Sequence, residues 1–123
     1  MTSKYLFVYG TLSPRKAPPE IRPQVRRLRR VGKGSIKGKV FDLGSYPAAI
    51  LSRSGTQIKG EVFELPDDPE LLKKLDEYEE FNQARPGQSL FRRQLVSVKM
   101  ASRNGKKMRA WVYVYNREIP RSL

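Results

Sequence analysis

A chain of 123 residues with 38% hydrophobic and 30% charged side chains is long enough to enclose one core and too short for two, so one domain over residues 1–123 is expected. It has neither cysteine nor histidine, which excludes a disulfide framework, a thiolate nucleophile, a Cys-based zinc site and the commonest general base; no metal or cofactor is expected, and any chemistry must run on carboxylates, hydroxyls, lysines or backbone dipoles. Apolar runs such as Tyr5 to Val8 fall far short of the roughly 20 residues of a membrane span, and the N-terminus carries no signal-peptide core.

The expectation is therefore a soluble, cytoplasmic protein without a membrane partner, and a monomer. The formal charge of +13 attracts anions and is unevenly placed. Residues 15–39 carry ten basic side chains and one acidic, residues 92–121 nine and one, and residues 40–91 reverse the balance with ten acidic and five basic. Such a distribution could steer an anionic ligand toward a carboxylate site, and it is equally the pattern of a solvated, solubilising surface.

Tyr5-Leu6-Phe7-Val8-Tyr9 is rich in β-formers and apolar on both faces, the signature of a strand buried on both sides and central in its sheet. It stops at Gly10-Thr11-Leu12-Ser13-Pro14, where glycine frees the backbone and proline removes a ladder donor. Gln24 to Arg30, with Val25 and Leu28 at i and i+3, predicts a short basic helix. Ser35 to Leu43 and Ala48 to Leu51 read as strands around Gly44-Ser45-Tyr46-Pro47, and Gln57 to Leu65 as another. Leu90 to Met100 and Met108 to Tyr115 flank an Asn104-Gly105 turn and read as a hairpin.

Pro66 to Glu80 is the one strong helix, with aspartates for its N-cap, Pro69 in the first turn and acidic charge at the positive end of the dipole. At about 100° per residue, Leu71, Leu72, Leu75 and Tyr78 form one face. Glu79 falls inside it, whereas Glu77 and Glu80 fall opposite and Asp76 near the edge. A carboxylate on the buried face is costly unless hydrogen-bonded or neutralised. Its surroundings would raise its pKa and fit it for taking up and returning a proton. The alternative is a helix that frays at Tyr78 and leaves Glu79 in solvent or bonded to a backbone amide. Tyr9-Gly10-Thr11-Leu12 is a second candidate: a strand ending in glycine can turn its N–H groups outward as an anion or oxyanion cradle, or it can simply be a turn.

Phe7-Val8-Tyr9-Gly10-Thr11-Leu12, Tyr46-Pro47 with Ile50, Gly60-Glu61-Val62-Phe63, Leu75-Asp76-Glu77-Tyr78-Glu79, Leu90-Phe91-Arg92-Arg93 and Val112-Tyr113-Val114-Tyr115 together resemble the gamma-glutamylcyclotransferase-like superfamily, in its gamma-glutamylamine cyclotransferase and AIG2-like branch. The resemblance covers nearly the whole chain. It implies an α+β fold, a mixed barrel-like sheet with one main helix and short helices packed around it. It implies a loop of Tyr9, Gly10, Thr11 and Leu12 that grips a small gamma-glutamyl substrate, Glu79 as catalytic acid and base, and a pocket tyrosine for which Tyr115 fits better than Tyr113. The implied reaction closes 5-oxoproline and frees an amine. The family's glycine after the glutamate is replaced by Glu80-Phe81-Asn82-Gln83, and the tyrosine before the next arginine is Phe91. Arg93 remains, to bind a substrate carboxylate or to pair with an acidic neighbour. A rival reading, a non-enzymatic module that binds nucleic acid or another polyanion, rests on Arg26-Arg27-Leu28-Arg29-Arg30 and is the less favoured.

Overall fold

In the computed structural model, which describes residues 3–9, 17–42, 47–53, 56–79, 81–82, 84–101 and 105–117, the elements run β1 (Tyr5–Val8), α1 (Arg22–Val25), β2 (Arg29–Asp42), β3 (Pro47–Leu51), β4 (Gln57–Glu64), α2 (Pro69–Tyr78), a 3₁₀ turn (Pro86–Gln88), β5 (Phe91–Met100) and β6 (Lys107–Tyr115). Strands β2, β4, β1, β6 and β5 follow one another around a closed barrel, sealed where Gly34 and Ser35 of β2 pair with Met100 and Lys99 of β5. β3 adds to β2 as a sixth strand. The barrel is mixed because β1 runs antiparallel to β4 and parallel to β6. With partners on both edges, β1 is the central strand its composition predicts.

Alternation along these strands divides the apolar residues into two cores. Phe7, Ile36, Ile58, Val62, Val98, Val112 and Val114 fill the barrel. Leu6, Val8, Phe63, Phe91 and Tyr113 project to its outer wall, where Leu71 and Leu75 of α2 and Ile21, Val25 and Leu28 around α1 cover them. Close approach inside the barrel needs glycine at position 60, because a Cβ there would stand 2.3 Å from the Val8 carbonyl oxygen and 2.7 Å from Phe7 Cζ.

α2 begins where its capping residues predict: the Asp68 side chain accepts from the Glu70 amide at 3.1 Å, and proline occupies the first turn. The predicted basic helix over 24–30 is displaced. α1 spans Arg22–Val25 with Pro23 in its first turn, and Arg29 and Arg30 already belong to β2, opposite Glu64 and Phe63 of β4. Ladder pairing, joined by ion pairs from Arg29 to Glu64 and from Arg30 to Glu61, overrides a weak local helical pattern. The hairpin of β5 and β6 forms in a continuous register from Phe91 opposite Tyr115 to Lys99 opposite Lys107, and Gly105 takes the left-handed φ of +53°. Among the described residues, no helix is long and apolar enough to cross a membrane.

Candidate active site

The last turn of α2 carries Glu79 to the end of the barrel where β1 stops. The regular helix ends at Tyr78, one residue before the carboxylate. Glu79 is the C-cap residue, with φ −84° and ψ 6°, and its amide donates to the Leu75 carbonyl at 3.0 Å. It is half-buried, so the helix stops early without releasing the side chain to bulk solvent.

Two phenols stand close to that carboxylate. Tyr9, just past β1, packs its ring against Phe7 with centroids 6.4 Å apart and donates its hydroxyl to the Tyr113 carbonyl at 2.6 Å. The Ala49 amide of β3 hydrogen-bonds the same phenol, while burial and the nearby Glu79 charge raise its pKa well above that of an ordinary tyrosine. Tyr9 thus ties β1, β3 and β6 together at the mouth of the barrel. Tyr113 projects to the opposite face of β6, where its hydroxyl donates to Asp76 Oδ1 at 2.7 Å. Burial, Asp76 and, more weakly, Glu79 raise the Tyr113 phenol, and Arg93 opposes them.

Arg93 lies opposite Tyr113 in the β5–β6 register. Its Nε and Nη2 donate to the two carboxylate oxygens of Asp76 at 2.9 and 3.2 Å, and its guanidinium sits 4.4 Å above the Trp111 ring and 5.8 Å from Phe81. Of the two roles open to Arg93, pairing with an acidic neighbour is the one its described contacts fill. Tyr115 lies further along the same face, its ring edge-on to Phe91 at 5.6 Å. Gly10, Thr11 and Leu12 lie outside the described residues.

Asp76 and Tyr113 are the members of this constellation that periodicity and resemblance did not select. Asp76 reads as an edge position on the helical wheel, yet it is buried to 7% exposure, because α2 settles on a sheet from which Arg93 and Tyr113 rise to meet it. The predicted turn gave the hairpin but not this register: Asn104-Gly105 as the two central residues would set Arg93 opposite Asn116, whereas the observed pairing, with the Met100 amide bonded to the Lys106 carbonyl, sets it opposite Tyr113. A groove of about 890 Å³ between α2 and the segment after it is lined by Leu72, Asp76, Phe81 and Arg93 among others, but not by Glu79 or Tyr9. Among the described residues no cluster of three or more Asp, Glu, His or Cys could hold a metal ion.

Fold and site together define a small closed-barrel α+β protein with a half-buried carboxylate at a helix end, near enough to Tyr9 and Tyr113 for its charge to act on both phenols. The chain belongs to the gamma-glutamyl cyclotransferase, AIG2-like family, whose model matches residues 6–122. Its fold is similar to the crystal structure of an AIG2-like protein from Mus musculus, at 22% identity and a TM-score of 0.73, over 95% of this chain and 80% of that one. It is similar also to a protein from Arabidopsis thaliana solved in solution, at 25% identity and TM-score 0.65, over 94% and 67%. A structure described as gamma-glutamyl cyclotransferase matches at 16% identity and TM-score 0.63, over 90% of this chain and 65% of that one. No curated protein sequence matches the chain.

Proposed function

We propose that this protein is a cyclotransferase acting on a gamma-glutamyl amide, with Glu79 as its single acid and base. Membership of the family supports gamma-glutamyl cyclotransferase chemistry. The observation that carries the finer reading is the half-buried Glu79 beside the phenols of Tyr9 and Tyr113, at the end of the strand that leads into Gly10-Thr11-Leu12.

The chemistry needs no nucleophile from the protein. Glu79 takes a proton from the substrate α-ammonium group, and the freed amine attacks the γ-carbonyl carbon to form the ring C–N bond. The bond from that carbon to the leaving nitrogen breaks as the leaving nitrogen receives the proton held by Glu79. The second proton shed by the ring nitrogen follows the same route, so 5-oxoproline and a protonated amine depart. Backbone N–H groups of the segment Gly10 to Leu12 are assigned the grip on the glutamyl part and the developing oxyanion. Holding the chain of the substrate bent supplies much of the rate by proximity. Arg93 is assigned a positioning role, through Asp76 and Tyr113.

The test is release of 5-oxoproline from a panel of gamma-glutamyl amines and dipeptides, including a gamma-glutamyl-lysine isopeptide, by wild type and Glu79→Gln. Turnover by the wild type and a loss of about 10²–10⁴-fold in a folded Glu79→Gln protein is the expected result. Turnover that survives the substitution would remove Glu79 from the mechanism.

A further inference from the structure

The positive charge of the chain is sorted by the fold in a way the sequence does not display. Three arginines of the segment before and within β2 are ion-paired: Arg27 with Asp68, Arg29 with Glu64, which Lys4 shares, and Arg30 with Glu61. The barrel wall left uncovered by the helices is different. Its outward positions carry Lys33 and Lys37 of β2, Lys59 of β4, Lys99 of β5, and Lys107 and Arg109 of β6, all exposed. None of these six forms an ion pair among the described residues; Glu61, which stands opposite Lys33 in the register, is bonded to Arg30.

The registers set these cations in a row. Lys59 stands opposite Ser35, Ser35 opposite Lys99, and Lys99 opposite Lys107. At about 4.8 Å per strand the row spans roughly 14 Å, and Lys33 to Lys37 extends it by about 13 Å along β2. Like charges directly opposite one another, as at Lys99 and Lys107, cost stability unless an anion comes between them. Around Ser35 the wall dips into a groove of about 460 Å³ lined by Lys33, Lys59, Lys99 and Gln57.

We propose that this wall is a docking face for the phosphate backbone of a nucleic-acid duplex, separate from the site at the end of α2. Six cations spread over such an area exceed what one small anion can touch, whereas a duplex presents one charge per about 1.7 Å of its axis. The described aromatic side chain next to this wall, Trp111 two residues beyond Arg109 on β6, already carries the Arg93 guanidinium 4.4 Å above its ring, so it offers no open platform on which bases of a single strand could stack. The exposed large apolar side chain beside the cations, Val31 at the β2 bulge, is a single residue and not the apolar face that seats a basic surface in a bilayer. Contacts confined to phosphates give affinity without sequence preference.

The experiment is fluorescence anisotropy of a labelled duplex of about 20 base pairs, titrated with the full chain across a salt series. The combined Lys59→Gln, Lys99→Gln, Lys107→Gln protein is expected to bind at least tenfold more weakly near 100 mM salt, with a log–log salt slope shallower by roughly 2–3. A control with equal charge loss elsewhere, Arg26→Gln, Arg53→Gln, Lys73→Gln, is expected to change affinity less than threefold. Should the first triple variant fail to fold, Lys59→Gln and Lys99→Gln singly are each expected to reduce the slope by about 0.9. Equal losses in both triple variants, tighter binding of an unpaired strand than of the duplex, or capture by phosphatidylserine vesicles without duplex binding would each overturn the proposal. Release of 5-oxoproline is read in parallel, and the wall variant is expected to retain whatever turnover the wild type has.

Discussion

Arg93 and Asp76 form a two-pronged ion pair inside the protein, with side chains only 6% and 10% exposed and Nε to Oδ1 at 2.9 Å. The pair joins β5 to α2 three residues before Glu79, and Tyr113 donates to the same carboxylate. Removing one partner leaves a buried charge uncompensated, which costs far more than the pair itself contributes. Arg93→Ala and Asp76→Ala are each expected to lose about 3–5 kcal/mol in urea unfolding. Arg93→Lys is expected to recover only part of this, since an ammonium cannot match the two-pronged geometry or stack as closely on Trp111. A loss below about 1 kcal/mol in both alanine variants would show that the pair is solvated in solution.

Tyr9 serves three strands through one hydroxyl. Tyr9→Phe removes the donor to the Tyr113 carbonyl and the acceptor for the Ala49 amide while keeping the ring packing on Phe7. Leaving buried backbone groups unpaired is expected to cost about 1–3 kcal/mol in chemical denaturation. It should also lower 5-oxoproline release less than Glu79→Gln does, because Tyr9 shapes the site around the carboxylate and is not assigned a proton to transfer. Equal losses of turnover in the two variants would place Tyr9 in the proton path.

The same phenols predict an alkaline limit to stability. Burial, reinforced by the carboxylates beside them, raises the pKa of Tyr9 and of Tyr113 above the ordinary tyrosine value of 10.0. A raised value in the folded state means that the unfolded chain loses these protons first. The stabilisation is complete below the unfolded value and is lost as pH rises toward the folded values. Unfolding free energy measured from about pH 8 to about pH 12 is expected to fall above about pH 10, and less steeply in the Tyr9→Phe, Tyr113→Phe protein. Parallel curves for the two proteins would assign the alkaline loss to other groups.

Gly60 is the point where β4 allows β1 its closest approach. A methyl group there meets the Val8 carbonyl oxygen at 2.3 Å and the Phe7 ring at 2.7 Å, and neither backbone nor a fully buried ring can yield cheaply. Gly60→Ala is expected to destabilise by about 1–3 kcal/mol through strand displacement and overpacking. Since Val8 precedes Tyr9, turnover should fall as well, whereas Gly87→Ala, with nothing within 4 Å of the added carbon, is expected to change neither measurement by much. Thermal denaturation of both variants beside wild type decides the point.

Periodicity and turn chemistry made most of the elements legible in the sequence, because each depends on residues close in the chain. β1 is apolar on both faces because both faces are buried, Asp68 caps α2 because its side chain reaches an amide two residues on, and Gly105 serves the connection between β5 and β6 because glycine accepts a positive φ. The half-burial of Glu79 was expected from its place after an apolar helical face, although the regular helix ends one residue before it, and family resemblance pointed to the same residue. Tertiary contact alone decided where α1 ends and β2 begins, since Arg29 and Arg30 follow their partners on β4 in place of a local helical preference. It also decided that Asp76 is buried and paired with Arg93, 17 residues away, and that Tyr113 joins them. The division of the positive charge between arginines with ion-pair partners and wall lysines without one among the described residues belongs to the fold as well. Each of these depends on which strands become neighbours around a closed barrel, a property of pairings between distant residues that no local window of sequence contains.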